Sequence, residues 1–343
     1  MTDLDFERPS QLQATDTPED RGVGRDGVRL LVTEGEVSRH HVFRELPDLL
    51  QPGDLLVVNE SATIPASLPA RGAAGSFVMN LSTRYAPNVW LAESRWSVSR
   101  PGPVPIGDSE TIAIAGVEAR RVAGYPGIDR LAFYRTEADL FGTMLKAGAP
   151  IRYGYLAHPH PLADYQTVFA RIPGSSEMPS AGRPFSDRTL ADLRARGVGI
   201  ARLWLHTGVS SLELENGDTG LPPVYPEPFE VPTETATAIR RARRAGGRVV
   251  AVGTTVVRAL ETASDHGEVR PLRGFTCRVL GPREPFGSVD ALITGLHDPR
   301  TSHLSLLFGF AGEARVRESY RSAVAEGYLW HEFGDSHLLW RAS

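Results

Sequence analysis

The segment GGRVVAVGTTVVRALETA, Gly246 to Ala263, constrains the fold more than any other stretch of the chain. Arg248 to Val252 is a valine-rich run bounded by glycines, the pattern of a strand buried on both faces. Gly253 turns the chain, and Val256, Ala259, Leu260 and Ala263 then share one face of a helix. Strand, glycine turn and helix in such close order make a βα unit, so the chain is read as α/β. Thr254 and Thr255 lie where the helix starts. Unpaired N–H groups and hydroxyls there either cap the helix and do nothing else, or hold a carboxylate, a phosphate or a ribose hydroxyl. Arg258 falls one turn further in, within reach of such a ligand. Upstream, Thr233 to Ala245 reads as a second helix stopped by Gly246. Arg240, Arg241, Arg243 and Arg244 cluster at its end, where they complement the helix dipole; contact with phosphate is the functional alternative.

A chain of 343 residues, 41% hydrophobic and 23% charged, has material for one large domain or two ordinary ones. After a polar lead-in, Val28 to Thr33 and Leu55 to Val58 read as strands, the second ending at Asn59-Glu60. Between residues 62 and 150 the texture changes. SFVMNLS, VWLAESRWSV, TIAIAG, EARRVAG and RLAFYRT recur between glycine and proline turns, the spacing of a small antiparallel barrel. Glu137 to Ala147 reads as a helix leading back, and the α/β texture resumes with Asp187–Arg196, Arg202–His206 and Val289–Thr294. The expected organisation is an α/β catalytic domain, residues 1–61 and 151–343, interrupted by an inserted β-barrel domain over 62–150. Glu215 to Glu227 reads as a proline- and glycine-rich loop. Three strands end in polar loops, at His206, Thr254 and His297, and such loops converge on the ligand crevice of an open sheet.

Composition and motifs exclude much. The net charge is −4, so contact with RNA would need a local basic patch. One cysteine, Cys277, leaves no internal disulfide and no cysteine metal site. The N-terminal twenty residues are acidic and polar, unlike a signal peptide, and no apolar run is long enough to span a membrane; a cytoplasmic protein is expected. There is no G-x-S-x-G elbow, P-loop, H-E-x-x-H or Rossmann glycine fingerprint. His158-Pro-His160 has metal-ligand spacing but lies in a proline-rich loop with no third ligand of matching pattern, so no metal is expected. His206 and His297, at strand ends, are candidate acids or bases, with structural hydrogen bonds as the alternative. Glu227, between two prolines, is a rigidly held carboxylate that can serve as a base or simply face solvent. His331, Glu332, Asp335 and His337 offer a metal site in principle, but Gly334-Asp335 is read as a turn, with Asp335 bonding backbone or ligand.

These residues belong to stretches that together resemble the S-adenosylmethionine:tRNA ribosyltransferase-isomerase family of the queuosine pathway. The matching stretches run from Arg25-Asp26 with RLLV through PGDLLVVNE, IPASL, DYQTVFA and PSAG to Leu205-His206 with Gly208. They continue with AVGTTVVRALET, VDALIT with His297 and Pro299, FAG and FGDS. The resemblance implies an α/β domain with an inserted barrel and a reaction that uses S-adenosylmethionine as ribosyl donor. In it a base removes a proton from the ribose carbon beside the sulfonium, and adenine leaves. The aminomethyl group of a 7-deazaguanine in a tRNA anticodon attacks, and methionine departs. S-adenosylmethionine is thus the expected co-substrate, with no metal. Thr254, Thr255 and Arg258 suit its carboxylate or ribose; Tyr165 and Gln166 suit a base, by stacking and hydrogen bonding. The motif residues Ser180, Gly182, Gly208 and Asp335 join the expected binding set, and His206, Glu227 and His297 the catalytic one. The chain is expected to act as a monomer or homodimer.

The departures fall in the loops. Where the family has A-A-P-T-A-G-L-H-F, this chain has Glu177-Met178-Pro179-Ser180-Ala181-Gly182-Arg183-Pro184-Phe185, without the histidine. Family L-H-V-G-x-G-T-F becomes LHTGVSSL, and H-x-M-H-x-E keeps only its glutamate, as Glu227. T-N-F-H-L-P-K-S-T becomes Thr294-Gly295-Leu296-His297-Asp298-Pro299-Arg300-Thr301-Ser302. Lost imidazoles and a single lysine, Lys146, raise two alternatives: a small nucleobase-like amine as acceptor, or a non-catalytic nucleotide- or RNA-binding homologue.

Overall fold

A computed structural model of the chain describes residues 6–97, 100–209, 225–299 and 301–342. Its centre is the Leu55–Asn59 strand, which has Gly199–Leu205 on one side and Val249–Val252 on the other, both parallel to it. Ala291–Gly295 joins Val249–Val252, again in parallel. Mostly antiparallel pairings widen this parallel core, the exception being Arg29–Glu34, which runs parallel to Ser336–Trp340. Glu227–Val231 and Leu272–Thr276 extend one side, and Ser336–Trp340, Arg29–Glu34 and Val37–Val42 complete the other. The result is one mixed sheet of nine strands.

Both faces of the sheet are covered, which explains why its central strands read as continuous apolar runs. Val57, Val249 and Ala251 face a core made with the Thr233–Arg244, Thr254–Thr262 and Ser302–Ala311 helices. Their neighbours Leu56, Val58, Val250 and Val252 face a second core with Phe43, Phe185, Leu190 and Leu193. Period-two alternation thus sends successive valines into opposite layers.

Six further strands form a closed antiparallel barrel with its own core around Met79, Leu81, Trp90 and Ile114. Five correspond to the strands expected from sequence. The sixth, Ser67–Gly72, pairs with Gly75–Ala86 and Thr111–Ile114 and was not anticipated. Pro69 and terminal Gly72 hide it, because both residues argue against a strand; Pro69 faces outward and its carbonyl accepts from Ala115 N at 2.8 Å. The expected helix of 137–147 is shorter, Phe141–Ala147. The lead-in of 1–27 contains two short helical turns, Ser10–Leu12 and Arg25–Gly27. Of the loop expected over 215–227, residues 215–224 lie outside the described residues, and Glu227 opens the Glu227–Val231 strand. Among the described residues no helix is long and apolar enough to cross a membrane.

The starts of two central strands are locked by one buried carboxylate. Asp54 Oδ1 accepts from the Arg248 backbone N and Nε, both at 3.0 Å, while Oδ2 accepts from Arg248 Nη2 at 2.6 Å and Gln51 N at 2.8 Å. Asp54→Ala strands the guanidinium and two amides. Stability in guanidinium unfolding should fall by about 3 kcal/mol, whereas a loss below about 1 kcal/mol would place Asp54 with ordinary surface pairs.

Candidate functional site

The carboxyl ends of the parallel strands open onto a cleft of about 740 Å³, of the size that takes a small-molecule substrate. Its floor is the start of the Thr254–Thr262 helix. The N-cap is Gly253, at φ 99°, and not a threonine as the sequence suggested. Thr254 and Thr255 are instead the first helical residues, so their amides point out of the helix toward the cleft. The Thr255 hydroxyl already accepts from Asn59 Nδ2 at 3.4 Å.

One turn along, Arg258 Nη1 pairs with Glu227 Oε2 at 2.5 Å and Nε donates to Arg278 O at 3.0 Å. Its Nη2 is buried and has no partner. Glu227 Oε1 accepts the Gly208 N–H at 3.0 Å. No side chain fits at Gly208, where an added Cβ would lie 2.2 Å from Ser82 Oγ and 2.4 Å from Tyr225 Oη. Both Glu227 oxygens are therefore engaged in orienting an arginine and a tight turn: the carboxylate is rigidly held, as expected, and does not simply face solvent.

The opposite wall carries imidazoles and carboxylates. His297 Nε2 is 2.7 Å from Thr294 Oγ1, and its ring stacks on His303 at 4.7 Å. Burial pushes both rings below the ordinary imidazole range, His303 to about 4, so both are neutral at pH 7. Asp298 is bonded by His331 at 2.7 Å and by Arg8 at 2.6 Å. Burial disfavours its charge, but these partners outweigh that and hold the carboxyl below its usual value. Glu332 is the reverse case: burial raises its carboxyl to about 7, and its Oε2 accepts from the Tyr155 hydroxyl. Tyr153, Tyr155 and His331 stack in succession, at 5.5 and 4.8 Å between ring centroids, with both tyrosines on the cleft wall.

Of the residues singled out from sequence, the cleft brings together Glu227, His297, Ser180, Gly208, Thr254, Thr255 and Arg258. The others are committed elsewhere. His206 is not among the lining residues; it is bonded through Nδ1 to Ser61 Oγ at 3.0 Å and stacked on Trp204, and burial lowers it to about 4. Tyr165 is buried against Phe333 and His160, so it offers no face to a base. The Gln166 amide is used up, accepting from Thr63 N at 3.0 Å and donating to Thr63 O at 2.8 Å. Gly182 packs against Phe169 and Thr167. Asp335 accepts from the amides of Arg29 and Leu329 at 2.7 and 2.8 Å, the backbone role of the two considered.

Sequence reading missed Tyr153, Tyr155, His303 and Arg278, and the lead-in residues Phe6, Arg8 and Gln13, all of which line the cleft, as does Glu332, considered from sequence only as a metal ligand. No local pattern marks them, because their common feature is arrival from distant segments. The expectation that no third ligand accompanies His158 and His160 also fails: Asp20, from the lead-in, converges on them outside the cleft.

A family model described as queuosine biosynthesis protein matches residues 1–339. The chain belongs to that family. Among relatives in it, the S-adenosylmethionine:tRNA ribosyltransferase-isomerase of Anaeromyxobacter dehalogenans is 39% identical, over 99% of each chain. The Thermus thermophilus enzyme of the same name is 38% identical, over 92% of this chain and 93% of its own. A crystal structure of S-adenosylmethionine tRNA ribosyltransferase from Thermotoga maritima superposes with a TM-score of 0.56 at 29% identity, covering 98% of this chain and 99% of that one. The α/β sheet with its closed barrel is therefore the architecture of a queuosine biosynthesis protein.

The buried imidazoles make stability depend on pH with a definite sign. His303 and His337 fall from 6.5 to about 4 and about 3 on folding. Their contribution is complete above pH 6.5 and is lost as pH falls through that window. Melting temperature should drop between pH 6.5 and pH 4, and His303→Gln, which removes one titration, should flatten the drop. An unchanged slope in that variant would show that His303 is not buried as a neutral ring.

Proposed function

We propose that this chain transfers and isomerises the ribosyl moiety of S-adenosylmethionine onto the aminomethyl group of a 7-aminomethyl-7-deazaguanine in a tRNA anticodon, with release of adenine and methionine. The observation that carries the reading is the unpartnered, buried Arg258 Nη2 beside the open start of the Thr254–Thr262 helix. A buried guanidinium N–H without an acceptor costs free energy, and an anionic ligand at that place recovers it. The methionyl carboxylate of S-adenosylmethionine is such a ligand. It would take Arg258 Nη2 and the amides of Thr254 and Thr255, while Glu227 holds the guanidinium in place.

The rest of the cleft suits a cationic sulfonium. His297 and His303 are kept neutral, which removes two charges that would repel it, and Asp298 is kept anionic. Glu332, raised to about 7, is poised to accept a proton at neutral pH and is the base in this proposal; His297 then shapes the site instead of titrating. The Tyr153–Tyr155 wall offers aromatic surface to a purine or a deazapurine, the role that buried Tyr165 cannot fill.

Mass spectrometry of adenine and methionine release, with tRNA carrying the aminomethyl-deazaguanine and with tRNA lacking it, tests the reaction. Release that depends on the modified base, with a matching mass gain on the RNA, is expected. Release onto a small deazapurine and not onto tRNA would overturn the acceptor. Arg258→Lys keeps a cation beside Glu227 but loses the second arm, so KM for S-adenosylmethionine should rise about tenfold with kcat little changed. Glu332→Gln should lower kcat while sparing KM, and wild-type kcat should fall as pH drops below about 7, where the carboxylate becomes protonated. An acid limb that survives in Glu332→Gln would assign the base to another group.

A further inference from the structure

His158, His160 and Asp20 meet at a place that none of the roles above uses. The two histidines come from the loop that follows the barrel, and the aspartate comes from the lead-in. Asp20 Oδ2 lies 3.9 Å from His158 Nε2 and 3.7 Å from His160 Nδ1, and one ligand atom from each of the three fits within 4.8 Å of the others. Asp164 brings a further oxygen, Oδ2, to 3.3 Å from His160 Nδ1. These separations exceed those of ordinary N–H···O bonds, about 2.7–3.2 Å. The edge of a tetrahedron around a zinc ion with bonds of about 2.0–2.1 Å is about 3.3–3.4 Å; the two Asp20 separations are a few tenths of an ångström wider, a gap that a bound ion would draw in.

The surroundings also fit a metal. His160 is almost wholly buried against Phe333 and Tyr165, so its ring is fixed. Its Nε2 is buried without a partner, so Nδ1 is the ring's only polar connection. The two imidazoles lie 4.4 Å apart between centroids, and carboxylates meet them from both the lead-in and the Leu162–Tyr165 turn. Outer partners are in place too. Asp16 Oδ1 lies 3.4 Å from His158 Nδ1, on the far side of the ring from Asp20. The buried Thr17 hydroxyl donates to Asp20 Oδ2 at 2.8 Å. A carboxylate behind a ligating imidazole and a hydroxyl on a ligating carboxylate are the orienting contacts that metal sites use.

We propose that His158 Nε2, His160 Nδ1 and Asp20 Oδ2 form a structural site for a divalent transition metal ion, Zn²⁺ by donor set, with the fourth position left to solvent. Imidazole donors favour zinc over magnesium or calcium. The ion would fasten the lead-in to the body of the protein. That segment is already attached by Ala157 N to Thr15 O at 3.1 Å, Arg21 Nη2 to Phe333 O at 2.9 Å and Arg183 Nη2 to Glu19 Oε2 at 3.0 Å. It also supplies Phe6, Arg8 and Gln13 to the cleft, and Arg8 grips Asp298 there. Metal binding and the order of one cleft wall are thereby linked.

The test is a Co²⁺ titration of chelator-treated protein, followed by its visible absorption, then competition with Zn²⁺. Saturation at one ion per chain is expected, with the intense bands of tetrahedral cobalt that Zn²⁺ displaces. The side chain of His158 is half exposed, so His158→Ala should keep the fold and weaken binding about a hundredfold; Asp16→Asn, one shell out, should weaken it about tenfold. Hydrogen exchange over residues 15–21 should slow when Zn²⁺ is added to wild-type protein and stay unchanged in His158→Ala. Weak octahedral cobalt bands, affinity shared by His158→Ala, or exchange that ignores Zn²⁺ would each overturn the proposal.

Discussion

The ion pair between Glu227 and Arg258 is the contact on which the cleft depends. Taking both charges out of water is costly, and the cost is offset only where the remaining polar atoms are satisfied. Glu227 meets that condition with the Gly208 amide and the guanidinium, and Arg258 meets it in part with Arg278 O. Four segments are fixed relative to one another by these bonds: the Glu227–Val231 strand, a helix start, the turn after Gly199–Leu205 and the loop after Leu272–Thr276. The unpartnered Arg258 Nη2 is then not a packing flaw. It is the place where a rigid frame lacks an anion, and it faces a helix start that lacks one too.

The βα unit was legible because its physics is local. Alternating valines, a glycine at positive φ and an apolar helical face are contiguous in the chain, and the sheet builds outward from them. The barrel was legible for the same reason except at Ser67–Gly72, where Pro69 mimics a loop. Within the cleft, Thr254, Thr255, Arg258 and Glu227 could be named from pattern. The place of Glu332 in the cleft could not, because a polar run such as His331–Asp335 looks like surface until packing half-buries the glutamate. Asp20 could not be joined to His158 and His160 either, since nothing in sequence brings a lead-in to a loop beyond the barrel. His206 shows the opposite error: a strand-end position was right, but the ring turns toward Ser61 and Trp204 instead of the cleft.

The departures from the family's loop pattern also have a physical setting. Arg183 stands where a leucine was expected, immediately before Pro184 in place of a histidine. Its guanidinium is buried, paired with Glu19 and held over the Phe333 ring at 4.8 Å. The altered loop is thus built into the attachment of the lead-in. The same segment walls the cleft through Arg8 and Gln13, so change in the loop and change in the wall are mechanically one event.

The Ser336–Trp340 strand lies inside the sheet, between Ala291–Gly295 and Arg29–Glu34. A chain emerging from the ribosome therefore cannot place its 29–42 hairpin in the sheet until residue 340 is clear of the exit tunnel. Through most of synthesis that hairpin has an open edge, and the parallel strands at the centre lack one flank. Contacts of such long sequence separation slow folding and leave pairing surfaces exposed meanwhile. The arrangement favours molecules that have been made completely, since a ribosome that stalls before residue 336 releases a chain with its sheet in two parts.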